Sequence, residues 1–196
     1  MGSPNKIIVN GIDQLNCLNK YLSWPKKKIV LCESARFIKK DKNMSGKIYL
    51  PGHITSIDFI ITNFKKILLL YPESDIQNFE IKNHPHKLKS KIHINLINSL
   101  KNLLEEYEKN ININKNYKKI SIFIGSTGAI AEALEYSCEV IHIVENSILQ
   151  KYDNKLYTNI KIKVITKDIF QYSLIKKGKL IKFGKKFSTF KKYLKK

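Results

Sequence analysis

Short runs of Ile and Val recur along this chain and alternate with longer segments of helical spacing. Each run is four to six residues long and ends at polar or turn residues, which is typical of strands buried on both faces of a parallel sheet. This pattern restricts the fold strongly, because such strands need helices to cover them. The predicted strands are 6–10, 28–32, 47–51, 79–82, 119–124, 139–144 and 162–166.

Three segments between these strands carry apolar residues at helical spacing and are predicted helices. They are 56–70, 91–109 and 127–137. Strands that alternate with helices imply parallel strands joined by right-handed crossovers. The sequence therefore predicts an α/β fold, a Rossmann-like doubly wound parallel sheet, with the Asn/Lys-rich run 108–119 as a surface loop.

The length of 196 residues and the 43% hydrophobic content predict one globular domain, which we expect over 5–180. The first four residues (1–4, "MGSP") are typical of an expression remnant. The last segment, 181–196, places four apolar side chains at helical spacing among lysines and predicts a basic amphipathic C-terminal helix. Such a helix either lies on an anionic membrane surface or packs its apolar stripe against the protein.

The charge balance favours anionic partners. The chain has 36 basic and 16 acidic residues, a formal charge of +20, and every basic residue except Arg36 is a lysine. The lysines are scattered rather than grouped with aromatic residues along a groove, which disfavours nucleic acid as the partner. A compositional bias would give the same charge as a solvated face.

Metal, disulfide and membrane classes are not indicated. Cys17, Cys32 and Cys138 show no C-x-x-C spacing, and the five histidines show no metal-binding spacing. No apolar run approaches the ~20 residues that a membrane helix needs, and the N-terminus lacks a signal-peptide pattern. The sequence predicts a cytoplasmic protein, and its basic tail allows peripheral contact with the inner face of a bacterial membrane.

The stretch "FEIKNHPH" (79–86) ends a predicted strand with a cation and an imidazole. Lys82, His84 and Pro85 then stand where ligands bind in an open α/β sheet. An ordinary solvated turn would use the same residue types, since Pro and Asn favour turns.

The stretch "IGSTGAIAEAL" (124–134) passes from a predicted buried strand into a predicted helix. Gly125 permits a tight turn, Ser126 and Thr127 place hydroxyls beside free backbone N–H groups, and Gly128 leaves room for a close approach. The pattern is typical of a phosphate site and equally of a routine N-cap. In a doubly wound sheet this turn and the His-Pro turn both follow strands at the carboxyl edge, so they are expected to face one nucleotide phosphate.

Together these motifs resemble a known family. "IKNHPH" followed by "IFIGSTGAIAEAL" is similar to the C-terminal, nucleotide-binding half of bacterial GT-B glycosyltransferases that carry a His-Pro motif and a paired Ser/Thr motif. These are the sialyltransferase-like and Kdo-transferase-like enzymes, which use CMP-activated sugars. "IIVNG", "CESARF" and "LPGHITS" resemble segments of bacterial surface-carbohydrate biosynthesis proteins. The resemblance covers roughly residues 7–143.

The resemblance implies roles for the motif residues. His84 would contact the nucleotide phosphate and assist its departure, Lys82 would lie by the cytidine, and the hydroxyls of Ser126 and Thr127 would hold the phosphate. The implied substrates are a CMP-sugar donor and a glycan or glycolipid acceptor, without a metal or other cofactor. The Asp-Asp-Gly or Glu-Asp-Gly motif that carries the catalytic carboxylate in sialyltransferase-like enzymes does not occur here. The chain is therefore expected to form one half of a catalytic cleft.

Three further sets of residues are candidates for substrate contact. Glu33 and Arg36 stand three apart, which on a helix predicts an ion pair or a shared substrate contact. Gly52 and His53 follow the Leu-Pro stretch, where His53 is either a ligand contact or a turn residue. Glu132 either reaches a ribose hydroxyl or interacts with the helix dipole.

The remaining histidines receive simpler interpretations. His86 follows the His-Pro pair and is expected to be exposed, whereas His93 and His142 lie within helix and strand patterns and are interpreted as structural.

Two alternative functions remain open from the sequence. A UDP-sugar transferase or epimerase would also grip a diphosphate with a Ser/Thr-Gly turn, and only nucleotide preference separates it from a CMP-sugar enzyme. A non-catalytic basic module would bind RNA or anionic membranes, with strong salt dependence and no requirement for His84.

Overall fold

The structure is a computed structural model that describes residues 4–40, 42–71, 76–84, 90–108, 119–146 and 148–184, without the side chains of Gln77 and Glu108. Within that part of the chain, ten strands and four α-helices form. The strands are β1 (Ile7–Val9), β2 (Ile29–Leu31), β3 (Ser34–Ile38), β4 (Lys47–Tyr49), β5 (Glu80–Lys82), β6 (Ile120–Ile124), β7 (Glu139–Ile143), β8 (Ile160–Thr166), β9 (Ile169–Leu174) and β10 (Phe183–Gly184). The helices are α1 (Ile12–Tyr21), α2 (Ile57–Leu70), α3 (Lys91–Glu108) and α4 (Ala129–Glu135).

The chain divides into two compact units. The central unit comprises Met44–Lys151 and Ile162–Ser173. The three-segment unit comprises Met1–Asn43, Tyr152–Lys161 and Leu174–Lys196. The sequence analysis expected one domain over 5–180, and the structure divides that span between the two units.

The central unit is built on a six-stranded, mostly parallel sheet with the strand order β5-β4-β6-β7-β9-β8. The pairs β4–β5, β4–β6 and β6–β7 are parallel. Strand β9 runs antiparallel to β7, so the prediction of a wholly parallel sheet was wrong at this edge. Only Lys167 and Asp168 separate β8 from β9, which is too short a connection for a crossover helix. The chain therefore reverses its direction after β8, and β9 runs against the parallel strands.

The connections in this sheet change direction at β4. From β4 the chain passes through α2 to β5 on one side, and then through α3 to β6 on the other side of β4. Helix α4 continues in that second direction to β7. The loops that follow β4 and β6 are therefore neighbours whose chains leave in opposite directions.

Helices cover both faces of the sheet. Ile60, Phe64 and Leu100 are fully buried representatives of the α2 and α3 stripes, which pack against one face as their spacing predicts. On the opposite face the rings of Tyr49 and Phe123 stack with centroids 4.4 Å apart. The buried residues of α4, Ile130, Ala133 and Leu134, lie outside the core cluster that α2 and α3 share, which is consistent with α4 covering this second face. Burial raises the pKa of Tyr49.

In the three-segment unit, β1 pairs parallel with β2, and β3 pairs parallel with β10. Asp13, in the first turn of α1, is buried. Its Oδ1 accepts hydrogen bonds from the Thr158 hydroxyl at 3.0 Å and the Asn159 side-chain amide at 2.8 Å. These two bonds tie the first segment of this unit to the second.

Two sequence predictions concern segments that are described only in part. Phe183–Gly184 is a strand, so the predicted C-terminal helix of 181–196 does not include these residues, and 185–196 lies outside the described residues. Most of the predicted surface loop, 109–118, also lies outside them. None of the helices in the described part of the chain has the length and apolar composition that a membrane crossing requires.

Candidate functional site

Three loops meet at the carboxyl edge of the central sheet because their strands are in register. Tyr49 of β4 is level with Lys82 of β5 and with Phe123 of β6. Strand β4 ends at Tyr49 and β5 at Lys82, and β6 ends one residue after Phe123. The sequence had predicted that the His-Pro turn and the Gly-Ser-Thr turn lie at one sheet edge, and the structure places His84 and the Gly-Ser-Thr turn there, with the loop after β4 between them.

His84 lies against the loop that follows β4. Its Nε2 is 3.3 Å from the point where a Cβ on Gly52 would stand, so the absence of a side chain at Gly52 permits this approach. The His84 N–H donates to the Asn83 side-chain oxygen at 2.9 Å. Pro85 and His86 lie outside the described residues.

Gly125 joins the loop after β6 to the loop after β4. It has a φ of +64°, and a Cβ there would lie 3.0 Å from the Cβ of Pro51. Its N–H donates to the Ile143 carbonyl at 2.8 Å. A residue with a side chain would be strained at this φ and crowded against Pro51, so glycine is the residue that allows the two loops to touch.

Substitution of Gly125 by Ala is expected to lower the free energy of unfolding by about 2 kcal/mol, because a left-handed conformation alone costs a residue with a Cβ about 1–2 kcal/mol. Gly128 is the matched control, since its φ is −69° and a Cβ there meets nothing within 4 Å. Gly128→Ala is expected to change stability by less than about 0.5 kcal/mol. Urea denaturation of both variants tests this, and equal losses would contradict it.

The residues after Gly125 combine exposure with a local capping role. Ser126 and Gly128 are exposed and Thr127 is half-buried. The Thr127 hydroxyl accepts the Ala129 N–H at 3.2 Å and so forms a Ser/Thr turn just before α4, whose N-cap is Gly128. A hydroxyl that accepts one hydrogen bond still has a proton to donate, so Thr127 can make this contact and also donate to a phosphate.

Glu145 is a residue of this edge that the sequence analysis missed. It follows β7, and its Oε1 accepts the N–H groups of Thr55 at 2.9 Å and Ser56 at 3.3 Å. Its Oε2 is 3.4 Å from the Cβ position of Gly125. The carboxylate therefore occupies the amino end of α2, where a helix would otherwise attract an external anion.

Two buried histidines bond to the loops at this edge. His93 of α3 lies with Nε2 2.8 Å from the Pro51 carbonyl oxygen. His142 of β7 lies with Nε2 2.8 Å from the Gly125 carbonyl oxygen and Nδ1 3.3 Å from the Tyr172 hydroxyl. Burial lowers the pKa of His142 to about 4. Both side chains are part of the buried framework, as the sequence suggested.

Lys82 and Glu132 have contacts of their own. Lys82 forms an ion pair with Glu80 on the same strand, and its hydrogen bond holds the pKa of the exposed Glu80 carboxyl below its usual range. Glu132 is half-buried, and its charge helps to raise the pKa of Tyr49. His53 is exposed on the loop after β4.

The helical interpretation of Glu33 and Arg36 was wrong. Arg36 lies within strand β3, so residues three apart do not share a face there. The guanidinium stands over the Phe37 ring at 5.1 Å. Both residues belong to the three-segment unit, separate from the unit that holds the three loops.

Other candidate chemistry is sparse in the described residues. Cys17, Cys32 and Cys138 are free thiols, and burial raises the pKa of each. Among the described residues, no three His, Cys, Asp or Glu side chains come together in a way that could hold a metal ion. A groove of about 510 Å³ runs between β5 and α3, lined by Phe79, Ile81 and Leu104 among others, and it does not include the loops at the carboxyl edge.

Comparison with protein-family models, with curated proteins and with solved structures gives no match to this chain.

Proposed function

We propose that the central unit is a Rossmann-like nucleotide-binding domain and that it binds the donor of a glycosyltransferase. Two features support the Rossmann-like assignment: the connections reverse at β4, and helices cover both faces of the sheet. In such sheets the ligand lies in the crevice at the carboxyl edge, between the strands where the direction changes. Here these strands are β4 and β6.

The observation that carries the proposal is the meeting of three loops at this crevice. His84 lies on Gly52, and Pro51 lies against Gly125. The turn of Ser126 and Thr127 continues from that contact, with one hydroxyl exposed and one half-buried. An imidazole, two hydroxyls and loop amides within reach of one edge suit an anionic phosphate better than a neutral ligand.

The proposed reaction transfers an acidic sugar, such as a sialic acid or Kdo, from its CMP donor to a hydroxyl of a surface polysaccharide or glycolipid. The bond between the anomeric carbon and the phosphate oxygen breaks, the acceptor oxygen bonds to that carbon, and the proton of the acceptor hydroxyl passes to a general base that the other half of the cleft would supply. Charge then develops on the CMP phosphate, where the His84 imidazole donates a hydrogen bond and the hydroxyls of Ser126 and Thr127 add two more. Lys82 lies by the cytidine and Glu132 by the ribose in this proposal, and Gly128 leaves the approach open.

The surroundings follow from this assignment. A lysine-rich chain with a charge of +20 suits an anionic donor and an acceptor held at an anionic membrane surface. The proposal therefore places the protein in the cytoplasm, in peripheral contact with the inner face of the membrane.

The test is calorimetric titration with CMP, with UMP, UDP and a polyanion as comparisons. We expect CMP to bind selectively, and His84→Ala to weaken its binding about tenfold or more, because one hydrogen bond to a charged group is lost. Lys101→Ala is the control, since this exposed residue lies on α3 beside the groove between β5 and α3 and away from the three loops, and it is expected to bind CMP as the unaltered protein does.

Each other outcome selects an alternative. Preference for UDP would favour a UDP-sugar enzyme. Strong, salt-sensitive binding of the polyanion that persists in His84→Ala would favour a non-catalytic basic module. Binding of none of these ligands would overturn the proposal.

A further inference from the structure

The three-segment unit presents apolar side chains to solvent where α1 ends. Tyr21 is 46% exposed and Leu22 is 64% exposed, and Trp24 is half-buried. A shallow hollow of about 210 Å³ is bordered by Leu22, Trp24 and Lys28 among others, so these side chains share one surface. We call residues 20–28 the α1 tip.

The α1 tip has a defined backbone shape. Ser23 has a φ of +53°, a left-handed conformation that ends the helix and turns the chain. The Trp24 N–H donates to the Leu18 carbonyl at 3.0 Å, and the Asn19 side-chain amide donates to the Trp24 carbonyl at 2.9 Å. The exposure of Leu22 is therefore a property of an ordered turn.

The second segment of the same unit lies beside the end of α1. The Tyr21 hydroxyl donates to the Lys155 carbonyl at 3.3 Å, and the Cys17 thiol donates to the Leu156 carbonyl at 3.2 Å. Leu156 is itself exposed, so it adds an apolar side chain next to the α1 tip. The acidic residue of this segment, Asp153, is matched in charge by Lys155.

The charge of the α1 tip is wholly positive. Lys20, Lys26 and Lys27 are exposed, and Lys28 is half-buried. The sequence has no acidic residue from 14 to 32. Exposed apolar side chains at the α1 tip are therefore surrounded by lysines that no acid of the same stretch neutralises.

This combination of residue types fits an anionic lipid surface. Trp and Tyr are enriched at the level of the lipid headgroups, where one end of the ring meets hydrocarbon and the other meets water. Leucine buries its side chain at the boundary between headgroups and acyl chains, and lysines are attracted to anionic headgroups. The α1 tip offers all of these side chains on one turn.

Other macromolecules fit the α1 tip less well. Protein interfaces are enriched in arginine and depleted in lysine, whereas every charged residue of the α1 tip is a lysine. Single-stranded nucleic acids bind through aromatic rings that stack on bases along a basic groove. An exposed leucine contributes nothing to such stacking, and it is the most exposed apolar side chain of this turn.

We propose that the α1 tip docks on an anionic phospholipid bilayer, with its apolar side chains among the headgroups and its lysines against their phosphates. The inference rests on the proposed function, because it names the surface that makes the peripheral membrane contact. It assigns this contact to the end of α1, whereas the sequence analysis had considered only 181–196 for it. Exposed leucine and tryptophan supply the insertion, and the lysines supply the choice of an anionic surface.

The fluorescence of one residue tests this directly. Trp24 is the single tryptophan of the chain, so its emission reports on the α1 tip alone. Unaltered protein is titrated with vesicles of equal parts phosphatidylglycerol and phosphatidylcholine, and separately with vesicles of phosphatidylcholine. With the anionic vesicles we expect the emission to shift to shorter wavelengths, and lipids with brominated acyl chains to quench it. Phosphatidylcholine vesicles are expected to bind more weakly, because they carry no net negative charge to attract the lysines.

A leucine pair separates the α1 tip from general surface hydrophobicity. Leu22→Asn is expected to weaken binding to the anionic vesicles about tenfold, because the leucine no longer buries apolar surface in lipid. Leu69→Asn is the matched control, since Leu69 is 74% exposed on α2 in the central unit. It is expected to bind vesicles as the unaltered protein does.

A lysine pair separates the α1 tip from the charge of the whole chain. The double variant Lys26→Gln, Lys27→Gln is expected to weaken binding to the anionic vesicles about tenfold or more. Lys65→Gln, Lys66→Gln is the matched control, because these two adjacent lysines are exposed on α2. Equal losses in the two double variants, or in the two leucine variants, would overturn the inference.

The remaining outcomes also decide. Vesicle binding that leaves the Trp24 emission unchanged would assign the contact to another part of the chain and overturn the inference. A shift of Trp24 emission with RNA and none with vesicles would overturn it in favour of nucleic acid.

Calorimetric titration of Leu22→Asn with CMP keeps this inference apart from the proposed function. The variant is expected to bind CMP as the unaltered protein does. If CMP binds and anionic vesicles do not, the inference fails while donor binding stands. If anionic vesicles shift the Trp24 emission and CMP does not bind, the docking surface stands and the donor assignment fails.

Discussion

Acidification from pH 7 to pH 4 is expected to lower the free energy of unfolding by about 3 kcal/mol through His142 alone. Burial lowers the pKa of this imidazole from 6.5 to about 4 in the folded protein. The unfolded chain therefore binds a proton at a higher pH than the folded chain does. The stabilisation that His142 provides is fully present above pH 6.5 and is lost as the pH falls through 4. Each unit of difference between the two pKa values corresponds to about 1.4 kcal/mol of free energy.

The measurement is urea denaturation at several pH values between 7 and 4. His142→Gln is the control, because Gln keeps a donor for the Gly125 carbonyl and does not titrate. The difference between the two proteins isolates the His142 contribution from that of every other titrating group. If the free energy of unfolding of the unaltered protein and of His142→Gln changed equally with pH, the pKa of His142 would be the same in the folded and unfolded protein, and the prediction would be wrong.

Gly11→Ala is expected to destabilise the protein by about 3 kcal/mol or more. Gly11 caps α1, and a Cβ there would overlap the carbonyl oxygen of Leu180 and stand 2.9 Å from that of Lys179. Both are backbone atoms, held in place by the bond from the Ile12 N–H to the Lys179 carbonyl at 2.8 Å. An overlap with backbone is relieved only if the chain itself moves, which places this change at the upper end of overpacking effects.

Gly178→Ala provides the comparison. Gly178 has a φ of +75°, yet a Cβ there meets nothing within 4 Å, so only conformational strain of about 1–2 kcal/mol is expected. Gly11 has the opposite properties, an ordinary φ of −139° and a crowded Cβ position. Thermal or urea denaturation should rank Gly11→Ala as the more damaging change. The reverse ranking would mean that 179–180 shifts readily.

The local sequence pattern was sufficient to predict where most strands lie, but not which strands pair with one another. All seven predicted strands form, with bounds that differ by at most two residues, because Ile/Val runs between polar residues need no partner to be recognised. The three predicted helices also form. Strand β3 was missed because it contains Arg36, and α1 because its apolar spacing is weak and its buried side chain is Asp13.

The candidate site shows the same division between local and distant information. The positions of His84 and Gly125 after strands were predicted, since a strand end is a local feature. Glu145, and the bonds of His93 and His142 to loop carbonyls, were not predicted. His93 reaches a carbonyl 42 residues away along the chain, and Glu145 reaches an amide 90 residues away. A single sequence contains no local signal for such partners.

The three-segment unit is built from parts of the chain that are far apart in sequence, and this affects how it folds during synthesis. Asp13 bonds to Thr158 and Asn159, which are made 145 and 146 residues later, and β3 pairs with β10 at 183–184. These contacts of Asp13 and β3 therefore form only after residues 158–184 have left the ribosome. The central unit, made mainly of one continuous stretch, has its partners within reach much earlier. The segment that contains Asp13 and β3 is thus synthesised long before the residues that complete its contacts.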